Sequence, residues 1–285
     1  MGKLIFSICL VLVGIGLGYL YQAGVRRQIF GLPAGRSIDD LRKLLQRLAL
    51  LFFNPVAILG ATWVANIRNI QIAAMPVLGV TALFTGGILA YAASRMLDLN
   101  DRQTGAYIVC GGFTNIGSLG ALFCFIFLGE KGFALVPFYK LFEESIYYAV
   151  GFPVAKSYSD DLTQTPSFFS RVKSALTDVF VLAALAGILT GLILNISGIE
   201  RPGWYASVNA VFIPLAAFLL LLSIGMAMQF SSVMTCFRPA LIIAGIKFLV
   251  VPVLIFSLGS LLGLGRIDGG LPLKVALILA SMPVG

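Results

Sequence analysis

Apolar residues in this chain cluster into long runs rather than alternating or recurring on one helical face. The runs are Leu4–Tyr21, Leu48–Trp63, Ile72–Ser94, Ala106–Leu128, Phe133–Ala155, Asp178–Ile196, Ala210–Met228 and Ala240–Leu264. A helix needs about 20 predominantly apolar residues to cross a bilayer, so each run predicts a membrane-spanning helix. A ninth run opens at Leu271 and reaches Gly285, the last residue given; its 15 residues are marginal for a crossing. The expected fold class is an all-α polytopic membrane protein with nine helices in this chain, the ninth cut short.

The first run, KLIFSICLVLVGIGLGYLYQ, has an apolar core longer than that of a cleaved leader. No Ala-x-Ala cleavage site precedes Tyr21. It is expected to remain as the first helix.

Composition agrees with the pattern. Of 285 residues, 59% are hydrophobic and 11% charged, and the mean hydropathy is +0.98. Soluble domains run near half apolar and a quarter charged. Histidine is absent, which removes His metal ligands, His bases and His pH switches. Cys9, Cys110, Cys124 and Cys236 have no metal-like or redox-like spacing, so they read as small apolar residues. No metal and no cofactor is expected.

The net charge of +8 belongs to the loops. On the side of the N-terminus lie Lys3, Arg68, Lys131, Arg201, Arg266 and Lys274. On the other lie Arg26, Arg27, Arg36, Arg42, Lys43, Arg47, Arg95, Arg102, Lys156, Arg171, Lys173 and Arg238, a split of 6 to 12. Lysine and arginine accumulate on the cytoplasmic side, so the N-terminus is expected outside, with the chain in a cell membrane of the bacterial inner-membrane kind. No basic run is interleaved with aromatics, and nucleic acid is not an expected partner.

The hydrophilic stretch KSYSDDLTQTPSFFSRVK, Lys156 to Lys173, divides the chain roughly in half. Residues 1–155 then hold helices one to five, 156–176 form a cytoplasmic linker, and 177–285 hold helices six to nine. FNPVAIL at Phe53–Leu59 resembles FIPLAAF at Phe212–Phe218, and GIGLGYL at Gly14–Leu20 resembles GILTGLI at Gly187–Ile193. These matches pair helix one with six and two with seven. An odd number of helices per repeat gives the halves opposite topology. Inverted repeats are a transporter signature, with the site near the midplane where they meet.

The stretch CGGFTNIGSLG, Cys110–Gly120, lies at the centre of the fourth run. Each glycine inside a helix costs up to about 1 kcal/mol relative to alanine. Gly111, Gly112, Gly117 and Gly120 therefore predict an interrupted helix. Interrupted backbone at membrane depth survives only when buried in protein or lining a watery cavity. Thr114, Asn115 and Ser118 add donors and acceptors there, and the half-helix that follows aims its positive end at the gap. Close packing of small residues against a neighbouring helix is the competing explanation. The ninth run carries a corresponding sequence, ILASMPVG, where Pro283 disfavours continued helix. Gly112, Thr114, Asn115, Gly117, Ser118, Ser281 and Pro283 are the candidate substrate-binding residues.

Charged residues inside the runs are candidates for charge balance or ion coupling, since each costs about 2.5–3.5 kcal/mol to insert. In FYKLFEES, Lys140 can reach Glu143 and Glu144, three and four positions on, but can neutralise only one fully. Lys247 has no nearby acid in sequence. It either compensates a carboxylate on another helix, attracts an anionic substrate, or snorkels to the interface.

The segment GGFTNIGSLGALFCFIFLGEKGFAL resembles the fourth helix of the auxin efflux carrier family of membrane transporters. FFNPVAIL is similar to that family's Pro-containing second helix, KFLVVPVL (Lys247–Leu254) to its eighth, and ASMPVG (Ala280–Gly285) to its ninth. The resemblance implies ten helices in two inverted five-helix repeats, with crossed, broken helices four and nine forming the site. It implies an outward N-terminus and transport of organic anions. The chain departs from the family in carrying Ser118-Leu119-Gly120 where members carry a proline, and in lacking helix ten.

The expected function is a secondary carrier of small organic anions working by alternating access. Its expected partners are the substrate anion, the lipid bilayer, a coupling proton or sodium ion and a second copy of the chain. A bile acid/sodium symporter is the alternative, since GGFTNIG also resembles the G-G-x-x-S-N segment of those proteins. A non-transporting membrane sensor is a second alternative. No G-x-x-x-x-G-K loop appears, which argues against an ATP-driven pump. No G-x-S-x-G or H-E-x-x-H motif appears, nor paired aspartates inside the runs, so an enzyme is not expected.

Overall fold

The computed structural model describes residues 2–31, 37–65, 70–158, 169–170, 173, 176–229 and 237–284. Most of the linker, together with Arg36, Arg68, Arg171, Cys236 and Gly285, lies outside the described residues. The described residues form helices and no strand. Seven helical stretches are long and apolar enough to cross a membrane, which makes this an integral membrane protein.

We number the helices α1 (Gly2–Arg26), α2 (Ile38–Leu48), α3 (Asn54–Trp63), α4 (Met75–Met96), α5 (Asp101–Gly112), α6 (Ala121–Tyr139), α7 (Glu143–Ile146) and α8 (Phe152–Ser157). They continue as α9 (Val179–Ile196), α10 (Trp204–Gly225), α11 (Phe237–Gly245), α12 (Val251–Leu261) and α13 (Leu271–Ala280).

Seven candidate spans stand where nine runs were read, for two reasons. The fourth and fifth runs fall within one helical stretch, Asp101–Ser157, because the interruptions inside it are short. One of these is Gly129, whose φ of 72° lies in the left-handed region that favours glycine. The ninth run gives only the ten residues of α13, about 15 Å of helix, half the thickness of a bilayer core.

The second helix begins ten residues earlier than the apolar run. Ser37 and Asp40 form a reciprocal capping box that starts α2 at Ile38, a charged amphipathic stretch that hydrophobicity alone passes over.

Three π-helical turns join helices: Ala49–Phe53, Tyr147–Gly151 and Ile246–Val250. Each is followed two residues later by a proline, Pro55, Pro153 or Pro252. A proline cannot donate to the carbonyl four residues back, and its ring clashes with it. Those carbonyls, on Leu51, Ala149 and Phe248, all lie inside the π turns. The widened turn accommodates the proline without ending the helix.

The chain divides into two compact units. One comprises Met1–Ala65, Gly117–Ala134 and Ala183–Ser232; the other comprises Asn66–Ile116, Leu135–Leu182 and Val233–Gly285. Both draw on each half of the sequence, so the units do not follow the division into halves at the linker.

In the first unit, α10 packs against α1, α2 and α3. Its polar interior is a network on Glu130. Arg201 donates to both carboxylate oxygens at 2.8 Å and to the Gly60 carbonyl at 2.8 Å. Asn209, fully buried, donates to Glu130 Oε1 at 2.6 Å and to the Ala57 carbonyl at 3.2 Å. Asn195 on α9 donates to the Trp63 and Ala65 carbonyls at the end of α3, satisfying acceptors that a helix end leaves open.

In the second unit, α4 packs against α5, and α12 against α4 and α13. The α4–α5 approach is set by Gly86 and Gly111: a side chain on Gly86 would collide with the Gly111 carbonyl, and one on Gly111 with Ala90. Small residues let the two backbones come close, as in other membrane helix pairs. Large apolar side chains such as Leu12, Leu20, Val253 and Phe256 are exposed, as lipid-facing positions are.

Candidate functional site

The site is built in the second unit around the end of α5. The helix stops at Gly112, where Phe113 turns extended at φ −87° and ψ 146°. Residues 113–115 lie outside any helix, and a π turn at Ile116–Gly120 leads into α6. The end of α5 leaves its last carbonyls without intrahelical donors.

Lys247 supplies the donors. It sits on the Ile246–Val250 π turn and is only 2% exposed. Its ammonium donates to the Gly112 carbonyl at 3.1 Å, the Phe113 carbonyl at 3.0 Å and Thr114 Oγ1 at 2.9 Å. All three donor positions are used, and all three acceptors are uncharged. The cation also meets the negative end of the α5 dipole. Lys247 does not snorkel, and among the described residues no carboxylate lies within salt-bridge distance of it. It closes the interruption.

The C-terminal segment meets the same interruption. After α13 ends at Ala280, residues 282–284 leave helical geometry. The Asn115 backbone N–H donates to the Pro283 carbonyl at 2.8 Å. Ser281 turns its hydroxyl back to the Leu277 carbonyl of its own helix at 2.8 Å.

A cavity of about 560 Å³ opens beside these groups. Lys247, Pro283 and Val284 line it together with Phe248, Pro239 and a face of α5. That face is Gln103, Ala106, Tyr107 and Cys110, spaced i, i+3, i+4 and i+7. Its volume falls in the range of sites for small organic ligands, and its wall is mostly apolar with a few polar groups, as such sites are. The Tyr107 hydroxyl donates to the Pro239 carbonyl at 2.9 Å and so ties α5 to α11.

A second, much smaller cavity, about 20 Å³, lies on the other side of Thr114. Gly79 on α4, Thr114, Tyr139, Lys140 and Glu143 are among its lining residues. Lys140 donates to Glu144 at 3.2 Å, not to Glu143. Thr114 and Glu143 share the wall of this cavity. Tyr139 is 2% exposed, and its hydroxyl has no hydrogen-bond partner.

The second unit thus brings together Gly112, Thr114, Asn115, Pro283, Lys247, Lys140 and Glu143. Ser281 adjoins them through Pro283. Gly117 and Ser118 belong to the first unit, where Ser118 is buried. Sequence reading missed Gln103, Tyr107 and Tyr139. The first two stand on the helical face that ends at Cys110, a polar stripe that the helical period alone makes visible. Tyr139 stands four positions before Glu143, across the turn between α6 and α7, and lines the same cavity.

Among the described residues no cluster of acidic and cysteine side chains has the makings of a metal site. Compared with known proteins, the chain matches no family model and no curated protein sequence.

Proposed function

We propose that this protein is a secondary carrier of small organic anions, with its site at the interruption after α5. The observation that carries the reading is Lys247: a buried ammonium with only uncharged partners, on the wall of a cavity sized for a small organic molecule. Among the described residues no carboxylate lies within salt-bridge distance of Lys247, and an anion in that cavity supplies a direct partner for the buried charge. The apolar wall suits the hydrocarbon or aromatic part of such a molecule.

The interruption after α5 and the non-helical segment after α13 act on this reading as the broken, crossing helices four and nine of two inverted repeats. Support comes from the Asn115–Pro283 hydrogen bond, which joins the two segments, and from the resemblance of both to the auxin efflux carrier family. The N-terminus faces outward on the same reading, following the 6-to-12 split of basic residues.

Stabilisation by ligand tests this. Indole-3-acetate and succinate, an aromatic and a dicarboxylate anion, are titrated against the purified protein while its melting temperature is followed. A concentration-dependent rise with either anion, matched by its uptake into proteoliposomes and lost in Lys247→Gln, is the expected result. Uptake that survives Lys247→Gln unchanged would remove Lys247 from the site.

A further inference from the structure

Thr114 faces two ways. Its hydroxyl oxygen accepts from Lys247 beside the large cavity, and the residue lines the small one together with Glu143. From the geometry we infer that Glu143 is a proton-binding site coupled to the anion site through Thr114, one proton accompanying one negative charge. The coupling rests on the carrier reading; the proton site does not.

Three observations carry it. The small cavity, about 20 Å³, has room for a single water molecule and little else. Tyr139, whose hydroxyl is buried and unpartnered, lines that cavity with Glu143, and a water in it would have both residues on its wall. Lys140 is committed to Glu144, and among the described residues no cation lies within salt-bridge distance of Glu143. A sodium ion in so small a cavity would face the Lys140 ammonium that also lines it. A proton on the carboxylate adds no ion to the space.

The charges explain the stoichiometry. The titratable and charged groups around Glu143 are Tyr139, Lys140 and Glu144 on its own segment and Lys247 from the α11–α12 turn; the α4 wall contributes none. Two lysines and two glutamates sum to zero. When one Glu143 oxygen takes up a proton, the carboxylate becomes a neutral acid and one positive charge is left over. An anion beside Lys247 cancels it. Release of the proton restores the carboxylate and removes the reason for the anion to stay.

Infrared difference spectroscopy of the purified protein, titrated with pH and without substrate, reads the site directly. A buried carboxylic-acid band that grows on acidification, vanishes in Glu143→Gln, persists in Glu144→Gln and shifts in frequency in Tyr139→Phe is the expected result. A band that survives in Glu143→Gln, or no titrating band in wild type, overturns the proton site. Glu143→Asp and Tyr139→Phe serve where the Gln variant does not fold: Asp should move the band, and an unmoved band in both overturns the assignment. A band that responds to sodium replacing N-methylglucamine at fixed pH gives the site to sodium and overturns the proton. Should the band titrate as expected while no anion is taken up or stabilises the protein, the carrier reading and the coupling fail and the proton site stands.

Discussion

Lys247 and Thr114, 133 residues apart in the chain, are joined by a hydrogen bond of 2.9 Å at the point where α5 gives way to non-helical backbone. The same ammonium holds the carbonyls of Gly112 and Phe113. A single side chain thus does the work that a capping motif does at a helix end in water, where solvent could take part. Inside a membrane the carbonyls have no such recourse.

Lys247→Met should therefore cost both structure and binding. Each acceptor left unpaired in a buried place costs about 1–3 kcal/mol, so a lowered melting temperature is expected together with lost anion stabilisation. Lys247→Arg keeps the charge, but a planar fork cannot aim three donors at acceptors arranged around one ammonium. It should fold better than the Met variant and still transport poorly. A Met variant with wild-type melting temperature would show that Lys247 does not cap the interruption.

A different buried charge supports the first unit. Glu130 and Arg201 are 20% and 10% exposed in their side chains and bonded at both oxygens. Removing one partner of a fully buried pair costs about 3–5 kcal/mol, because the other is left uncompensated, and this part-buried pair should lose somewhat less. Glu130→Gln and Arg201→Met should each lower the melting temperature sharply. The double variant Glu130→Gln/Arg201→Met should lose less than the sum. Additive losses in chemical denaturation would mean that the pair is not coupled.

The membrane class and most helix positions were legible in the sequence because lipid imposes a length and a polarity that no soluble fold needs. The non-helical residues 113–115 fall inside the stretch that the glycines and asparagine marked, while Gly111 serves the close packing on α4 that was the competing explanation. Lys247 was visible as a charge out of place, but its partners were not, since they are mainly backbone carbonyls and a backbone leaves no residue signature. Arg201 read as an ordinary loop charge and Glu130 was not singled out, because their pairing joins segments that are distant in sequence. The start of α2 at Ile38 was hidden because a capping box is polar and leaves no mark on an apolar pattern.

Orientation is open to direct labelling. With Cys9, Cys110, Cys124 and Cys236 replaced, Gly2→Cys should react with a membrane-impermeant thiol reagent added to intact cells. Ser159→Cys, in the linker outside the described residues, should react only after permeabilisation. The reverse pattern would invert the topology and contradict the basic-residue count.

Asn115 separates backbone from side chain at the interruption. Its backbone N–H serves Pro283, so Asn115→Leu leaves that bond intact while removing an amide with two donors and an acceptor. If the amide serves the anion, the Leu variant should insert, melt near wild type and lose anion stabilisation. If it instead supports the local backbone, freed groups go unpaired and the melting temperature falls. Asn115→Asp keeps the shape and adds a negative charge, which should repel an anion and weaken stabilisation further. Asn115→Pro removes the N–H itself; losing one buried hydrogen bond should cost about 1 kcal/mol or more, even in a variant that never meets substrate. Melting temperature and uptake measured together place the residue. A Leu variant that is stable and transports fully would move the anion away from the interruption, toward the Gln103–Cys110 face of the cavity.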